Sequence, residues 1–177
     1  MGNPVSPEPV KLFTGILYSK TAPIEDVKYD LEKLFGPVDY VSQEFDFGLT
    51  DYYESEMGPQ IKRLFWSFHR LIDPSEIADI KQKTNAVELV YAISGKRNVN
   101  LDPGYMDFYK VVLASVKARA QKIYIGKGIY ADPTLHYLKG KFHAYDWSLP
   151  DFKMHSYDAI FQEIRNIYKQ QMRTGII

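Results

Sequence analysis

The polar residues between positions 98 and 117 could bind an anion or transfer a proton. Asn98, Asn100 and Asp102 share one face of a short predicted strand, because side chains alternate between the two faces of a strand. A tight turn follows the strand, and then come Lys110, Ser115 and Lys117. Functional residues often collect where a strand ends in a turn, and lysines near Asn and Asp could hold a phosphate or carboxylate group. The alternative is that the Asn and Asp residues only build turns.

The acidic loop of residues 50–58 is a second candidate. Its sequence, Thr-Asp-Tyr-Tyr-Glu-Ser-Glu-Met-Gly, packs three carboxylates and two tyrosines together. Crowded carboxylates can bind a divalent cation or act as acids and bases. The same residues also suit the first turn of a short helix capped by Thr50 or Asp51. The spacing favours the helix cap.

Arg70 is a third candidate, because its position predicts a guanidinium on an apolar face. It shares the parity of the apolar side chains of its predicted strand: Leu64, Trp66, Phe68 and Ile72. A guanidinium does not deprotonate, so it needs an anionic partner there. Neighbouring carboxylates could supply one: Glu44, Asp46 or Asp51. A structural ion pair at the rim of the sheet is favoured over an anion-binding role.

The histidines do not predict a metal site. A two-residue turn at Lys139-Gly140 places His136 opposite His143, and two close imidazoles could ligate a metal. The same register gathers the apolar side chains on the opposite face of the hairpin: Leu135, Tyr137, Phe142 and Ala144. We therefore expect the histidine face to be solvated.

Composition excludes several classes of function. The 177 residues include 22 Lys and Arg against 22 Asp and Glu, and this balance argues against a generic nucleic-acid or anionic-membrane binder. The absence of cysteine excludes disulfides, thiolate metal sites and a cysteine nucleophile. Neither a P-loop nor a Gly-x-Gly-x-x-Gly sequence occurs. No apolar run approaches the roughly 20 residues that span a bilayer, so we expect a soluble, cytoplasmic protein.

The elements that position these residues form an α+β pattern. Residues 1–9 predict an extended arm within a single domain of residues 1–177. Strands are predicted at residues 10–18, 38–47, 61–72 and 98–101. Helices follow the first strand, from Pro23, and the third, from the N-cap Asp73. This order is that of a ferredoxin-like βαββαβ unit. Residues 105–120 fit a helix or a strand, with a strand slightly favoured; two C-terminal β-hairpins and a terminal helix over about 156–173 complete the prediction.

Several motifs resemble the prokaryotic family catalogued as domain of unknown function 4416. They are Pro9-Val-Lys-Leu-Phe-Thr-Gly-Ile-Leu-Tyr-Ser19, Thr50-Asp-Tyr-Tyr-Glu54 with Glu56-Met-Gly58, Arg70-Leu-Ile-Asp-Pro74, Val99-Asn-Leu-Asp-Pro-Gly-Tyr105, and Lys122-Ile-Tyr-Ile-Gly126 with Gly128-Ile-Tyr-Ala131. Members often carry the label "GTP-binding protein", although this chain has no P-loop to support it. The resemblance implies one site formed by Asp51, Tyr52, Tyr53, Arg70, Asn100, Asp102, Gly104, Tyr105 and Lys110.

The leading hypothesis from the sequence is a site for a small anionic ligand, phosphorylated or nucleotide-like. It expects Arg70 and Lys110 to hold the anion while Asp51 or Asp102 acts as a base or metal ligand. Tyr52, Tyr53, Asn100, Gly104 and Tyr105 would contact the ligand. Two alternatives stay open: an RNA-binding module with an open aromatic sheet face, and an interaction protein that forms homo-oligomers. The sequence identifies no cofactor and does not decide whether the protein is an enzyme.

Overall fold

The computed structural model describes residues 2–48, 53–119 and 121–175. Within these ranges nine strands pair into one antiparallel sheet. The elements in chain order are β1 Val10–Tyr18, α1 Ile24–Phe35, β2 Val38–Val41, β3 Phe45–Phe47, α2 Glu54–Met57, β4 Ile61–Ile72, α3 Ile77–Val90, β5 Val99–Met106, β6 Lys110–Ser115, β7 Ile123–Gly126, β8 Ile129–Leu138, β9 Lys141–Ala144, α4 Pro150–Lys153 and α5 Asp158–Thr174.

The strands lie in the order β2-β4-β1-β5-β6-β8-β7, with β3 also paired to β4 and β9 also paired to β8. Helices cover both faces of this sheet. One apolar cluster joins α1 and α3 to the even-numbered side chains of β1, such as Leu12 and Ile16. A second cluster joins α4 and α5 to the opposite face, where Phe13 of β1 and Phe65 of β4 lie. All nine residues of β1 are therefore buried.

The α+β class and several element bounds agree with the sequence prediction. The first and third predicted strands, residues 10–18 and 61–72, are β1 and β4. Asp73 and Glu76 form the predicted capping box, at a short 3-10 turn before α3. The ambiguous segment forms strand β6, and both C-terminal hairpins are present.

Two predicted strands need correction. The strand predicted over 38–47 is interrupted after Val41, because Ser42 bonds to β4 through its side chain. Its Oγ accepts the Phe65 N–H at 2.8 Å, while its own N–H donates to the Phe65 carbonyl. The strand predicted to end at Leu101 continues to Met106, since Pro103 and Gly104 pair with Thr14 and Phe13 of β1.

No helix in the described part of the chain is long and apolar enough to cross a membrane.

Candidate functional site

The sheet splits between β5 and β6, and this split creates the candidate site. The two strands pair only where Gly104 to Met106 face Val111 to Leu113. Backbone groups of successive residues point alternately to the two neighbours of a strand. The N–H of Leu101 points away from β1, and so does the backbone of Pro103, which has no N–H to donate. Pairing with β6 therefore stops at Pro103.

Two charged side chains of α3 take the place of the missing strand. Lys81 Nζ donates to the Leu101 carbonyl at 2.6 Å, and Glu88 Oε1 accepts the Leu101 N–H at 2.7 Å. Both residues are 5 % exposed and lie 3.8 Å apart as an ion pair. Lys81 Nζ also lies 3.9 Å from Asp102 Oδ1. Burial raises the pKa of the Glu88 carboxyl, against the opposing attraction of Lys81.

Arg97 connects this pair to the neighbouring helix α2. Its Nε and Nη2 donate to both carboxylate oxygens of Glu56, at 2.9 and 2.7 Å. Its Nη1 donates to Asn100 Oδ1 at 2.8 Å, and Asn100 Nδ2 donates to Asp102 Oδ2 at 2.9 Å. The hydrogen bonds between Arg97 and Glu56 hold the pKa of Glu56 below its ordinary value and the pKa of Arg97 above its ordinary value. The network holds Asn100 and Asp102 in fixed orientations at the split.

A small cavity of about 170 Å³ occupies the split. Its lining combines α3, β5 and β6 with residues that follow β6: Tyr53, Lys81, Asn85, Glu88, Arg97, Asn100, Asp102, Leu113, Ala114, Ser115, Val116, Lys117, Lys122, Asp132 and Leu149. On one wall Lys122 Nζ donates to Ser115 Oγ at 2.8 Å and pairs with Asp132 at 2.9 Å.

A large cavity of about 650 Å³ adjoins the small cavity and shares part of its wall. Its lining is more aromatic and reaches α4: Phe47, Tyr53, Arg63, Lys117, Arg119, Gln121, Lys122, Asp132, Trp147, Leu149, Pro150 and Asp151. A cavity of this size matches the range of small-molecule sites. Across both linings, Arg63, Lys81, Arg97, Lys117, Arg119 and Lys122 outnumber the acidic residues Glu88, Asp102, Asp132 and Asp151.

Arg63 is the most unusual residue of the large cavity. It is only 3 % exposed, yet its Nε has no hydrogen-bond partner among the described residues. Its Nη2 lies 3.4 Å from Asp151, which is itself buried. The guanidinium also lies near the rings of Phe47 and Phe65. A buried guanidinium normally has its donors satisfied, so the unpaired Nε of Arg63 is an exception among the described residues.

Gly15 of β1 makes room for the Arg63 guanidinium. A Cβ atom at this position would lie 2.8 Å from Arg63 Nη1 and 3.1 Å from the Phe65 ring. Gly15 lies in the interior of a strand, where glycine often marks a close approach by another group. The glycine and the arginine therefore form one structural unit.

The structure brings together only some of the predicted site residues. Asn100, Asp102 and Tyr53 line the small cavity, and Tyr53 also lines the large one. Ser115 and Lys117, which the sequence places after the predicted strand, also line the small cavity. Asp51 and Tyr52 lie outside the described residues.

Four predicted residues do not lie at the cavities: Arg70, Lys110, Tyr105 and Gly104. Arg70 does not contact an apolar face; its side chain is 51 % exposed and pairs with Glu76 at 2.7 Å, not with Glu44 or Asp46. Lys110 pairs with Asp107 in the turn between β5 and β6, at the other end of β5. Tyr105 packs against the cluster beneath α1 and α3. Of the four residues expected to converge on one pocket, Arg70 and Lys110 therefore do not share a cavity with Asp102, and Asp51 lies outside the described residues.

Gly104 has a packing role instead. A Cβ atom there would lie 2.6 Å from the Val112 carbonyl oxygen and 2.8 Å from the Phe13 ring. Both distances are shorter than real Cβ contacts allow, so β6 reaches β5 at this point because residue 104 has no side chain.

The hairpin prediction for the histidines is confirmed. His136 pairs with His143, and Tyr137 pairs with Phe142. The two imidazoles stack with centroids 5.4 Å apart, and the apolar face packs towards α5. In the described residues, no group of three or more His, Asp or Glu side chains is arranged to hold a metal ion.

A protein-family model described as a domain of unknown function (DUF4416) matches residues 8–168. The chain belongs to this family. The matched range includes every residue that lines either cavity. Comparison with curated proteins found no match, and comparison with solved structures found none.

Sequence reasoning missed several charged residues of the candidate site: Arg63, Lys81, Glu88, Arg97, Lys122, Asp132 and Asp151. One signal could have found Arg63. The run Leu64-Phe-Trp-Ser-Phe68 is apolar on both parities, which indicates a strand buried on both faces. An arginine beside such a run, with a glycine inside another apolar strand, points to a buried charge. No comparable signal indicates that Lys81 and Glu88 of α3 bond to the backbone of Leu101 in β5.

Proposed function

We propose that the two cavities form a binding site for a small anionic ligand, with Arg63 as its principal anion-binding residue. The ligand class is the one that the sequence suggested, while the anion-binding role moves from Arg70 to Arg63. The observation that carries the proposal is the buried guanidinium of Arg63, which lines a large cavity while its Nε has no partner in the part of the chain that the structure describes.

The free energy of burial supports a ligand at Arg63. An unsatisfied buried donor costs about 1–3 kcal/mol, and more when the group is charged. The Asp151 carboxylate offsets part of the cost of burying Arg63, but it lies 3.4 Å from Nη2 and also accepts the Tyr157 hydroxyl. It therefore does not satisfy the whole guanidinium. A phosphate or carboxylate in the large cavity would accept the remaining N–H groups, because a guanidinium presents its donors in a fork that matches such anions.

Other basic groups of the large cavity could share the charge of the ligand. Lys122 lies on the wall common to both cavities, and the exposed Arg119 lies at the large cavity. Asp102, partly exposed in the small cavity, keeps the acid–base role that the sequence suggested for it.

We further infer that the N-terminal part is ferredoxin-like. The antiparallel order β2-β4-β1-β5, with α1 and α3 on one face, supports this inference.

The RNA-binding alternative has no comparable support. It requires an open aromatic sheet face, whereas Phe13 and Phe65 are buried with the side chains of α5. The alternative of an oligomer stays a prediction.

The test measures the affinity of inorganic pyrophosphate by calorimetry for three chains: the wild type, Arg63→Gln and Arg70→Gln. Arg70→Gln is a matched control, because it removes the same charge from the same strand. We expect Arg63→Gln to weaken binding by about 10- to 150-fold, the equivalent of one charged hydrogen bond. Arg70→Gln should leave the affinity unchanged.

Circular dichroism establishes that each variant is folded, and Arg63→Lys, which keeps the charge but loses the fork of donors, should bind with intermediate affinity. Equal affinities for the wild type and a folded Arg63→Gln would overturn the proposal, as would the absence of pyrophosphate binding to the wild type.

A further inference from the structure

We propose that the ligand of the large cavity carries a planar ring, which stacks on Trp147, beside its anionic group. This inference rests on the proposed function, because it describes the same site. It is carried by an exposed indole that is held in place on one side and lines the cavity that Arg63 also lines.

Trp147 is fixed although it is 46 % exposed. Its Nε1 donates to the Pro133 carbonyl at 2.8 Å. One face of the indole stacks on Tyr145, with ring centroids 4.7 Å apart and planes only 6° from parallel. A ring that is already stacked and hydrogen-bonded loses little further freedom when a second ring covers its other face. Trp147 is therefore a preorganised surface for a planar group.

The Tyr145 ring is itself supported by a row of rings along the β8–β9 hairpin. Tyr145 lies 4.9 Å from His136, and His136 lies 5.4 Å from His143, measured between ring centroids. Strand pairing sets the position of both histidines. The row ends at Trp147, so the surface at the cavity is anchored in the sheet.

Trp147 is also close in the chain to the anion-binding end of the cavity. Asp151, the ion-pair partner of Arg63, comes four residues later. Four residues span at most about 13–14 Å. The turn between them is held, because Ser148 Oγ donates to the Thr134 carbonyl at 2.6 Å and accepts the Tyr145 N–H at 3.0 Å. Because Trp147, Asp151 and Arg63 line the same cavity within this reach, one small ligand that carries both a ring and a phosphate or carboxylate can contact them together.

The test compares three probes: inorganic phosphate, phenyl phosphate and cyclohexyl phosphate. The two organic probes carry the same charge and six-membered rings, but only the phenyl ring is planar. We expect the wild type to bind phenyl phosphate about two- to tenfold more tightly than cyclohexyl phosphate, the usual effect of one aromatic contact. Trp147→Leu should remove this preference, whereas Trp147→Phe should retain most of it.

Fluorescence gives an independent measurement. The chain contains two tryptophans, and Trp66 is buried in the core at 2 % exposure. Phenyl phosphate should therefore change the emission of the wild type and not that of Trp147→Phe.

The outcomes separate the two proposals. If these three probes and pyrophosphate all fail to bind, the proposed function is wrong, and this inference with it. If pyrophosphate binds and phenyl phosphate does not, only this inference is overturned. If all three bind but phenyl and cyclohexyl phosphate bind equally, or if the preference survives in Trp147→Leu, the anion site stands and the ring-stacking inference is overturned.

Discussion

Replacing Gly15 by alanine should impair both stability and anion binding, because its new methyl group collides with Arg63. The added Cβ would lie 2.8 Å from Arg63 Nη1, where ordinary contacts begin near 3.4 Å. Gly15 has no positive φ, so the backbone accepts alanine and the effect comes from space alone. The guanidinium would have to retreat by about 0.6 Å or more, away from its position at the cavity.

The magnitude follows from two opposing effects. Overpacking a well-packed interior costs about 1–3 kcal/mol, while a Gly-to-Ala change lowers the entropy of the unfolded chain and recovers about 0.4–1 kcal/mol. We expect Gly15→Ala to lower the free energy of unfolding by about 1–2 kcal/mol. Pyrophosphate affinity should fall by about tenfold, because the displaced guanidinium loses much of one charged hydrogen bond.

Urea denaturation and calorimetry measure the two effects, and Gly48→Ala is the matched control, since nothing lies within 4 Å of a Cβ at that exposed position. The double variant Gly15→Ala/Arg63→Gln tests the cause, because the shorter glutamine leaves room for the methyl group. The cost of Gly15→Ala should shrink by about 1 kcal/mol in that background. Additive effects, or a Gly15→Ala protein with the stability and affinity of Gly48→Ala, would refute the reasoning.

Two further predictions concern the split in the sheet. Burial raises the pKa of Glu88 above its ordinary value of 4.5, so the folded protein binds the carboxyl proton more tightly than the unfolded chain does. The free energy of unfolding that this proton contributes is fully present below pH 4.5. It is lost as the pH rises through the pKa of the folded state. Glu88→Gln should flatten that decline in urea titrations between pH 4 and 7, and an unchanged slope would contradict the assignment. Gly104→Ala should cost about 3 kcal/mol or more, because the Val112 carbonyl at 2.6 Å cannot move without opening the β5–β6 pairing; a stable variant that loses only pyrophosphate binding would instead restore Gly104 to the ligand site.

The sequence predicts the strands well where local signals dominate. The alternation of β4 and the Lys139-Gly140 turn give the observed bounds and register, including the pairing of His136 with His143. It fails where a side chain replaces a backbone partner. Ser42 interrupts one strand through its hydroxyl, and α3 completes another strand through Lys81 and Glu88. These contacts join segments distant in the chain, which periodicity does not detect.

Arg70 and Arg63 show the same limit for the site. Both arginines lie on β4, at positions of opposite parity. If only the face of Leu64 and Trp66 is assumed to be apolar, a period of two residues predicts that Arg70 is buried and Arg63 exposed. The structure shows the reverse. The pairing of β4 with β1 shifts register near Arg70, and residues 69 and 70 are exposed while Leu71 and Ile72 after them are buried. Arg70 therefore turns to solvent and pairs with Glu76. Arg63 lies where α4 and α5 cover the second face, and only the tertiary structure reveals that cover.

The small cavity exists because the β-ladder is incomplete. Had β6 continued alongside β5 past Pro103, its backbone would have paired with Leu101, and the charged groups of α3 would have no role at the sheet. Instead Lys81 and Glu88 satisfy that backbone from the side. Side chains can satisfy the strand while leaving space, which a neighbouring strand at about 4.8 Å cannot do. The replacement of a neighbouring strand by the side chains of Lys81 and Glu88 therefore opens the small cavity and places charged groups around it.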